Sequence, residues 1–104
     1  MIQTPQKEAV RGKILYYLAL IYPQAATLPL LQGELALLGY RISVHDLRLP
    51  LLAVLEEKGF VTVEGYKPPA ARVSEVDLVK ITAKGIDYYD GRLPADPGIY
   101  VEPK

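Results

Sequence analysis

The spacing of apolar positions predicts that the chain begins with a helix ending near Tyr22. Thr4 followed by Pro5 is typical of a helix start, and apolar side chains recur at helical spacing after it. The opposite side of this helix is apolar too, and a helix that is apolar nearly all round is normally buried all round. We therefore predict a homodimer, although scattered aliphatic side chains on a surface would need no such explanation. The residues predicted to form the dimer interface are Leu15, Tyr16, Leu20 and Tyr22.

A second helix is predicted between Thr27, whose hydroxyl can cap it, and Gly39, which ends it. Pro29 is tolerated in its first turn. Its expected buried stripe consists of Leu30, Leu31, Leu35 and Leu38. Because the linker that follows is short, the second and third helices should cross at a sharp angle, as in a helix-turn-helix.

The stretch Ser43–Val63 predicts a third helix that runs directly into a strand. Ser43 can cap this helix, and Gly59 supplies the left-handed position after it. One apolar stripe is formed by Leu47, Leu51, Val54 and Leu55. Pro50 either kinks the helix or marks a start near Leu49. The cap and the stripe favour a kinked helix.

The second half of the chain predicts a β-hairpin and a closing helix. Residues 60–66 alternate apolar and polar positions, and residues 72–82 return as a second strand, with a possible bulge near Leu78 and Val79. Thr82 then caps a short helix that Gly91 ends. We predict one domain over residues 1–91 and an extended, proline-rich tail over residues 92–104, either disordered or laid across its own surface or that of a partner.

Composition narrows the classes of function. The chain has 104 residues, no cysteine, one histidine (His45) and equal numbers of basic and acidic residues, twelve each. Zero net charge argues against holding nucleic acid through a large general field, although a local basic patch stays possible. No cofactor or metal site is predicted. The longest apolar run, residues 14–22, is too short for a bilayer span of about 20 residues, so no membrane contact and a cytoplasmic location are predicted.

Three stretches carry a resemblance to a known group of proteins. LLQGELALLGYRIS, LRLPLLAVLEEKGFVTVE and LVKITAKGIDYYDGRLPADPGI look like small winged helix-turn-helix proteins of Mu-like prophages. LEEKGFVTV followed by VKITAKG also resembles the recognition helix, wing and following turn of MarR-like and PadR-like regulators. The resemblance implies an α+β fold, with three helices, a β-hairpin wing and a short C-terminal helix. It also implies a prophage DNA-binding transcriptional regulator. No catalytic activity is predicted, because the sequence offers no constellation of catalytic side chains.

In that interpretation the third helix enters the major groove of double-stranded DNA and the wing contacts phosphates. The predicted DNA-binding residues are Arg41, Ser43, His45, Arg48, Lys67 and Arg72. Solvated surface arginines and an ordinary histidine are the plainer explanation of several of them. The alternative function is a winged helix that binds a phage or host protein and no DNA, which the zero net charge and the leucine-rich third helix favour.

Overall fold

The computed structural model describes residues 4–64 and 78–101, which form an α+β fold. The helices are α1 (Thr4–Ile21), α2 (Leu28–Leu37), α3 (Val44–Asp46), α4 (Ala53–Glu57) and α5 (Ala83–Tyr89). The strands are β1 (Ala26–Thr27), β2 (Val61–Glu64) and β3 (Leu78–Ile81). None of the helices in these described ranges has the length and apolarity needed to cross a membrane.

The strands form an antiparallel sheet in the order β1–β3–β2. Val61 lies opposite Ile81 and Val63 lies opposite Val79, so one face of the sheet is buried and the other is exposed. The register continues without interruption through Leu78. The bulge suggested by the sequence near Leu78 and Val79 is therefore wrong for these residues. The short strand β1, just before α2, was not predicted from the sequence.

Helix α1 runs through the core and confirms the predicted first helix. Leu15 is fully buried in the core of the single chain, as are Ile14 and Leu18. The prediction that Leu15 belongs to a dimer interface is therefore wrong. The spacing of apolar residues placed Leu15 on the side of the helix that faces a partner, but that side is covered by the core of the same chain. The other three predicted interface residues are exposed: Tyr16, Leu20 and Tyr22.

Helix α2 begins as predicted, and its buried stripe is narrower than predicted. The Thr27 hydroxyl accepts a hydrogen bond from the Leu30 N–H (3.3 Å), and proline occupies the first turn. Leu31 and Leu35 are buried, one turn apart. Leu30 and Leu38 are about half exposed, at 45% and 54%. Leu30 is adjacent to Leu31 and is therefore rotated by about 100° from it around the helix. Leu38 follows the last residue of α2, Leu37, and lies beyond the regular helix.

The predicted third helix is interrupted before Pro50. The Ser43 hydroxyl accepts a hydrogen bond from the Asp46 N–H (3.1 Å), which confirms the predicted cap. Leu49 then adopts an extended conformation (φ −135°, ψ 117°) inside the segment Leu47–Leu52, and regular helix is regained in α4. The predicted kink is therefore present, but it lies at Leu49 and divides the predicted third helix into two. The proline ring disfavours helical geometry in the residue before it, so the chain separates into α3 and α4.

Residues 92–101, which we call the strap, pack on α1 and α5. The Tyr100 N–H donates to the Glu8 carbonyl of α1 (3.0 Å), and Ile99 is 3% exposed. An ideal Cβ at Gly12 would overlap the Tyr100 carbonyl oxygen and come within 2.8 Å of its carbonyl carbon. The strap therefore belongs to the folded domain. Among the alternatives predicted for the tail, packing on the protein's own surface is the one observed for these residues.

The hydroxyl of Tyr88 on α5 holds the strap from inside. It donates to the Ile99 carbonyl (2.9 Å) and accepts from the Asp96 N–H (2.9 Å). The Tyr88 ring stacks on Phe60, with centroids 4.7 Å apart. The strap is consequently tied both to α5 and to the start of the strand region.

Asp96 links the strap to the end of α4. Its carboxylate accepts hydrogen bonds from Lys58 Nζ and from the Gly98 N–H (2.8 Å). The Lys58 hydrogen bond, followed by that of Gly98, lowers the pKa of Asp96. Arg11 on α1 donates to the Gly98 carbonyl (3.0 Å), and burial lowers the pKa of Arg11 while the charges of Glu8 and Asp96 oppose that shift. Three elements therefore meet at one corner of the strap.

Candidate interaction surface on the second and third helices

The connection between α2 and α3 is built by local hydrogen bonds. Gly39 has a positive φ of 93°, which lets the chain turn away from α2. The Tyr40 N–H donates back to the Leu35 carbonyl (2.9 Å). Gln32 Nε2 donates to the Ile42 carbonyl (2.8 Å), so residues 41–43 are fixed against the side of α2.

A groove of about 560 Å³ lies between α2 and residues 41–43. Its lining residues are Pro29, Gln32, Gly33, Ala36, Arg41, Ile42 and Ser43. The four from α2 are three, one and three residues apart, so they form one side of the helix. Most of these side chains are small or apolar, and Arg41 is the single cation among them. The groove is therefore an apolar channel with a positive charge on one wall.

The surface of α2 beside this groove is apolar and exposed. Leu37 is 81% exposed and Leu30 is 45% exposed. The two leucines are seven residues apart and therefore lie on the same side of the helix, next to Gly33. Helix α2 contains no lysine or arginine, and Glu34 is its one ionisable residue. This side of α2 therefore combines two exposed leucines with one carboxylate.

The structure brings together three of the predicted DNA-binding residues at the start of α3. Arg41, Ser43 and His45 are all exposed. The Ser43 hydroxyl accepts the capping hydrogen bond from Asp46. Asp46 is also exposed and adds a negative charge beside these three predicted DNA-binding residues. The cluster is thus small and of mixed charge.

The remaining predicted DNA-binding residues do not extend this cluster. Arg48 Nη2 lies 3.5 Å from Glu56 Oε1, and the Arg48 side chain is only 12% exposed. The break at Leu49 brings these two residues together, although they are eight positions apart. Lys67 and Arg72 lie outside the described residues. Arg48 is therefore engaged within the domain in this structure.

Sequence reasoning missed the exposed leucines of α2 and the groove beside them. The sequence did contain a signal for the exposed leucines, because α2 has more leucines than one buried stripe can accommodate. No signal in the sequence marked Gly33 as the floor of a groove, because that depends on how residues 41–43 return against the helix.

Within the parts of the chain that the structure describes, no group of three or more histidine, aspartate or glutamate side chains is placed to hold a metal ion. No family model matches this chain, and no curated protein or solved structure was found to be similar to it.

Proposed function

We propose that this protein is a non-catalytic winged-helix module that binds another protein through the surface of α2 and α3. The observation that carries the proposal is the pair of exposed leucines on the outer side of α2, where Leu37 is 81% exposed and Glu34 is the one charged residue. The order of elements supports the winged-helix assignment: a first helix, a helix-turn-helix pair, two antiparallel strands and a closing helix. An exposed apolar patch on a small domain is typical of a protein-binding site.

The charges of this surface favour a protein partner over DNA. In a helix-turn-helix that binds DNA, the first helix of the pair crosses the phosphate backbone and the second reads base edges. Both tasks need donors or cations, but α2 has neither lysine nor arginine. Arg48 is paired with Glu56. Two carboxylates are exposed nearby in the chain, Asp46 at the end of α3 and Glu57 at the end of α4. A polyanion would meet apolar and acidic side chains on most of this surface, and Arg41 and His45 are the exposed basic side chains at the start of α3.

A prophage DNA-binding regulator is the second candidate. The exposed Arg41 and His45 at the start of α3 favour it, since this is the end of a recognition helix that contacts base edges. Lys67 and Arg72 would add phosphate contacts in this hypothesis. The partner would be double-stranded DNA, and its binding should weaken with salt by a slope of about −0.9 per neutralised phosphate.

We also infer a homodimer through the outer side of α1. Tyr16 and Leu20 are one turn apart and exposed, and Tyr22 follows at the helix end, half exposed. Tyr16 also lies near Tyr89 of α5, with ring centroids 6.1 Å apart. Together these residues give α1 an aromatic outer surface that a second copy could cover.

Site-specific photo-crosslinking tests the proposed function. A benzophenone side chain replaces Leu37, and a matched control carries it at Thr62, which is exposed on β2. We expect a discrete crosslinked protein product in host cells from position 37 only, and its loss when Leu30→Glu is added. Absence of any product from position 37 would contradict the proposal.

Fluorescence anisotropy with random and gene-proximal duplexes across a salt series tests the second candidate in parallel. Salt-sensitive binding that Arg41→Ala weakens would favour the regulator. A lack of binding at low salt by the folded protein would exclude it.

A further inference from the structure

We propose that the strap exchanges between two copies of this chain, so that the strap of each copy lies on α1 and α5 of the other. Each copy then completes the surface of its partner. This inference rests on the homodimer inferred above through the outer side of α1, and it specifies how the two chains are joined.

The surface beneath the strap has a defined chemistry. Arg11 of α1 donates to the Gly98 carbonyl (3.0 Å), and Lys58 at the end of α4 donates to the Asp96 carboxylate. Ile99 is buried in the core. A segment that covers this surface must therefore offer a carboxylate and, three residues later, an aliphatic side chain. The strap of a second copy meets this requirement because its sequence is the same.

Helix α1 is adapted to receive the main chain of the strap. The Tyr100 N–H donates to the Glu8 carbonyl (3.0 Å), and the Tyr100 carbonyl oxygen occupies the position that a Cβ at Gly12 would need. Glycine inside a helix costs stability unless close approach of another backbone requires it. Backbone contacts of this kind are the same whether the strap comes from the same chain or from a second copy.

The strap is held by few buried side chains. The structure describes all ten of its residues, and Ile99 is the one that is buried. Five of the others are exposed, among them Pro94, Ala95 and Tyr100. Ordering a segment costs conformational entropy, which buried contacts must offset. Segments with few buried contacts open locally at a lower free energy than the core. We therefore expect the strap to open while the core stays folded.

The strap is joined to α5 by a short hinge, residues 93–95. The Arg92 N–H donates to the Asp87 carbonyl (2.9 Å), and the Asp96 N–H donates to the Tyr88 hydroxyl (2.9 Å). Because these anchors are consecutive residues of α5, the chain must reverse its direction within the hinge. Short hinges of this kind favour exchange between copies, since the reversal is avoided and every contact of the exchanged segment is kept.

The strap adjoins the surface through which the homodimer is inferred. Tyr89 and Tyr100 line the same cavity beside the strap. The Tyr89 ring also lies 6.1 Å from the ring of Tyr16 on the outer side of α1. A copy that receives the strap is therefore held next to this side of α1. Covering Tyr16 and Leu20, which are exposed in the single chain, then adds apolar burial that the closed monomer lacks.

Mixing of single-cysteine variants tests the exchange, because the parent chain contains no cysteine. One preparation carries Glu8→Cys and the other carries Tyr100→Cys, at the two residues joined by the backbone hydrogen bond. After incubation together and mild oxidation, we expect a disulfide-linked heterodimer on a non-reducing gel. In the matched control, Tyr100→Cys is mixed with Thr62→Cys, which is exposed on β2. A heterodimer no more abundant than in this control would overturn the inference.

Two variants of the hinge test it independently. Deleting Pro94 and Ala95, both exposed, leaves one hinge residue, so the strap can no longer reverse onto its own chain. We expect this variant to be a dimer by light scattering at every concentration. Insertion of Gly-Ser-Gly after Ala95 makes the reversal easier and should favour the monomer. A folded, monomeric deletion variant would contradict the exchange.

The outcomes separate this inference from the proposals on which it rests. If the parent is a dimer but the mixed cysteine variants give no more product than the control, the strap stays on its own chain. The exchange then fails and the homodimer through α1 stands. If the parent is a monomer at every concentration, both fail. Crosslinking from Leu37 reports separately on protein binding through α2 and α3.

Discussion

Alanine in place of Gly12 is expected to destabilise the protein, although the same change at Gly33 should stabilise it. Both glycines lie inside helices, where Gly→Ala alone favours folding by about 1 kcal/mol. At Gly33 a new Cβ meets open space. At Gly12 it overlaps the Tyr100 carbonyl oxygen and comes within 2.8 Å of the carbonyl carbon, where 3.4–4 Å is ordinary contact.

The structure also sets the size of the effect. Overpacking typically costs about 1–3 kcal/mol. A displaced strap would also lose the hydrogen bond from Tyr100 N–H to the Glu8 carbonyl, worth about 1 kcal/mol net. After the gain in helix propensity, Gly12→Ala should lower the free energy of unfolding by about 1–3 kcal/mol. Gly33→Ala should raise it by about 1 kcal/mol.

Urea unfolding followed by circular dichroism measures both variants against the parent. Both the midpoint and the slope m of the free energy of unfolding against urea concentration must be compared. A change in m would show that the strap is already detached from α1 in the native state of the variant. If both alanine variants stabilise the protein equally, the contact between the strap and α1 does not exist, and the argument from Gly12 is refuted.

Three further predictions concern the strap and the outer surface of α1. Tyr88→Phe should cost about 1–3 kcal/mol in urea unfolding, because the Ile99 carbonyl and the Asp96 N–H lose a buried partner; a cost near zero would contradict the hydrogen bonds at this hydroxyl. Folding lowers the pKa of Asp96, mainly through the hydrogen bond from Lys58. The ionised Asp96 carboxylate therefore stabilises the fold at pH values above its ordinary pKa, and this stabilisation is lost as the pH falls through the lowered pKa. Asp96→Asn should therefore flatten the fall in melting temperature on acidification, and an unchanged pH profile would disprove the link. Leu20→Glu should convert the inferred dimer to a monomer in light scattering, and a parent protein that is already monomeric would rule that dimer out.

The sequence by itself determined the features that depend on neighbours along the chain. Thr27, Ser43 and Thr82 each cap the helix that the sequence assigned to them, because a cap needs only a hydroxyl and a backbone N–H three residues later. The alternation in β2 likewise predicted which of its residues are buried, because side chains alternate across a strand.

Other features were decided only by the tertiary structure. The spacing of apolar residues assigned Leu15 to the side of its helix facing a partner and Leu30 to a buried stripe, yet Leu15 is fully buried and Leu30 is half exposed. Periodicity finds an apolar side of a helix but does not state which elements pack on it. The pairing of Arg48 with Glu56 followed from the break before Pro50, which changed the rotation of the chain after it.

The strap and the groove also depend on contacts between residues that are distant in the sequence. The strap is fixed by Tyr88, Glu8 and Arg11, which are 8 to 92 positions away from the residues they hold. The groove exists because residues 41–43 return against Gln32. Contacts between residues distant in sequence arise from packing of the whole chain. No local rule of capping, propensity or periodicity contains them.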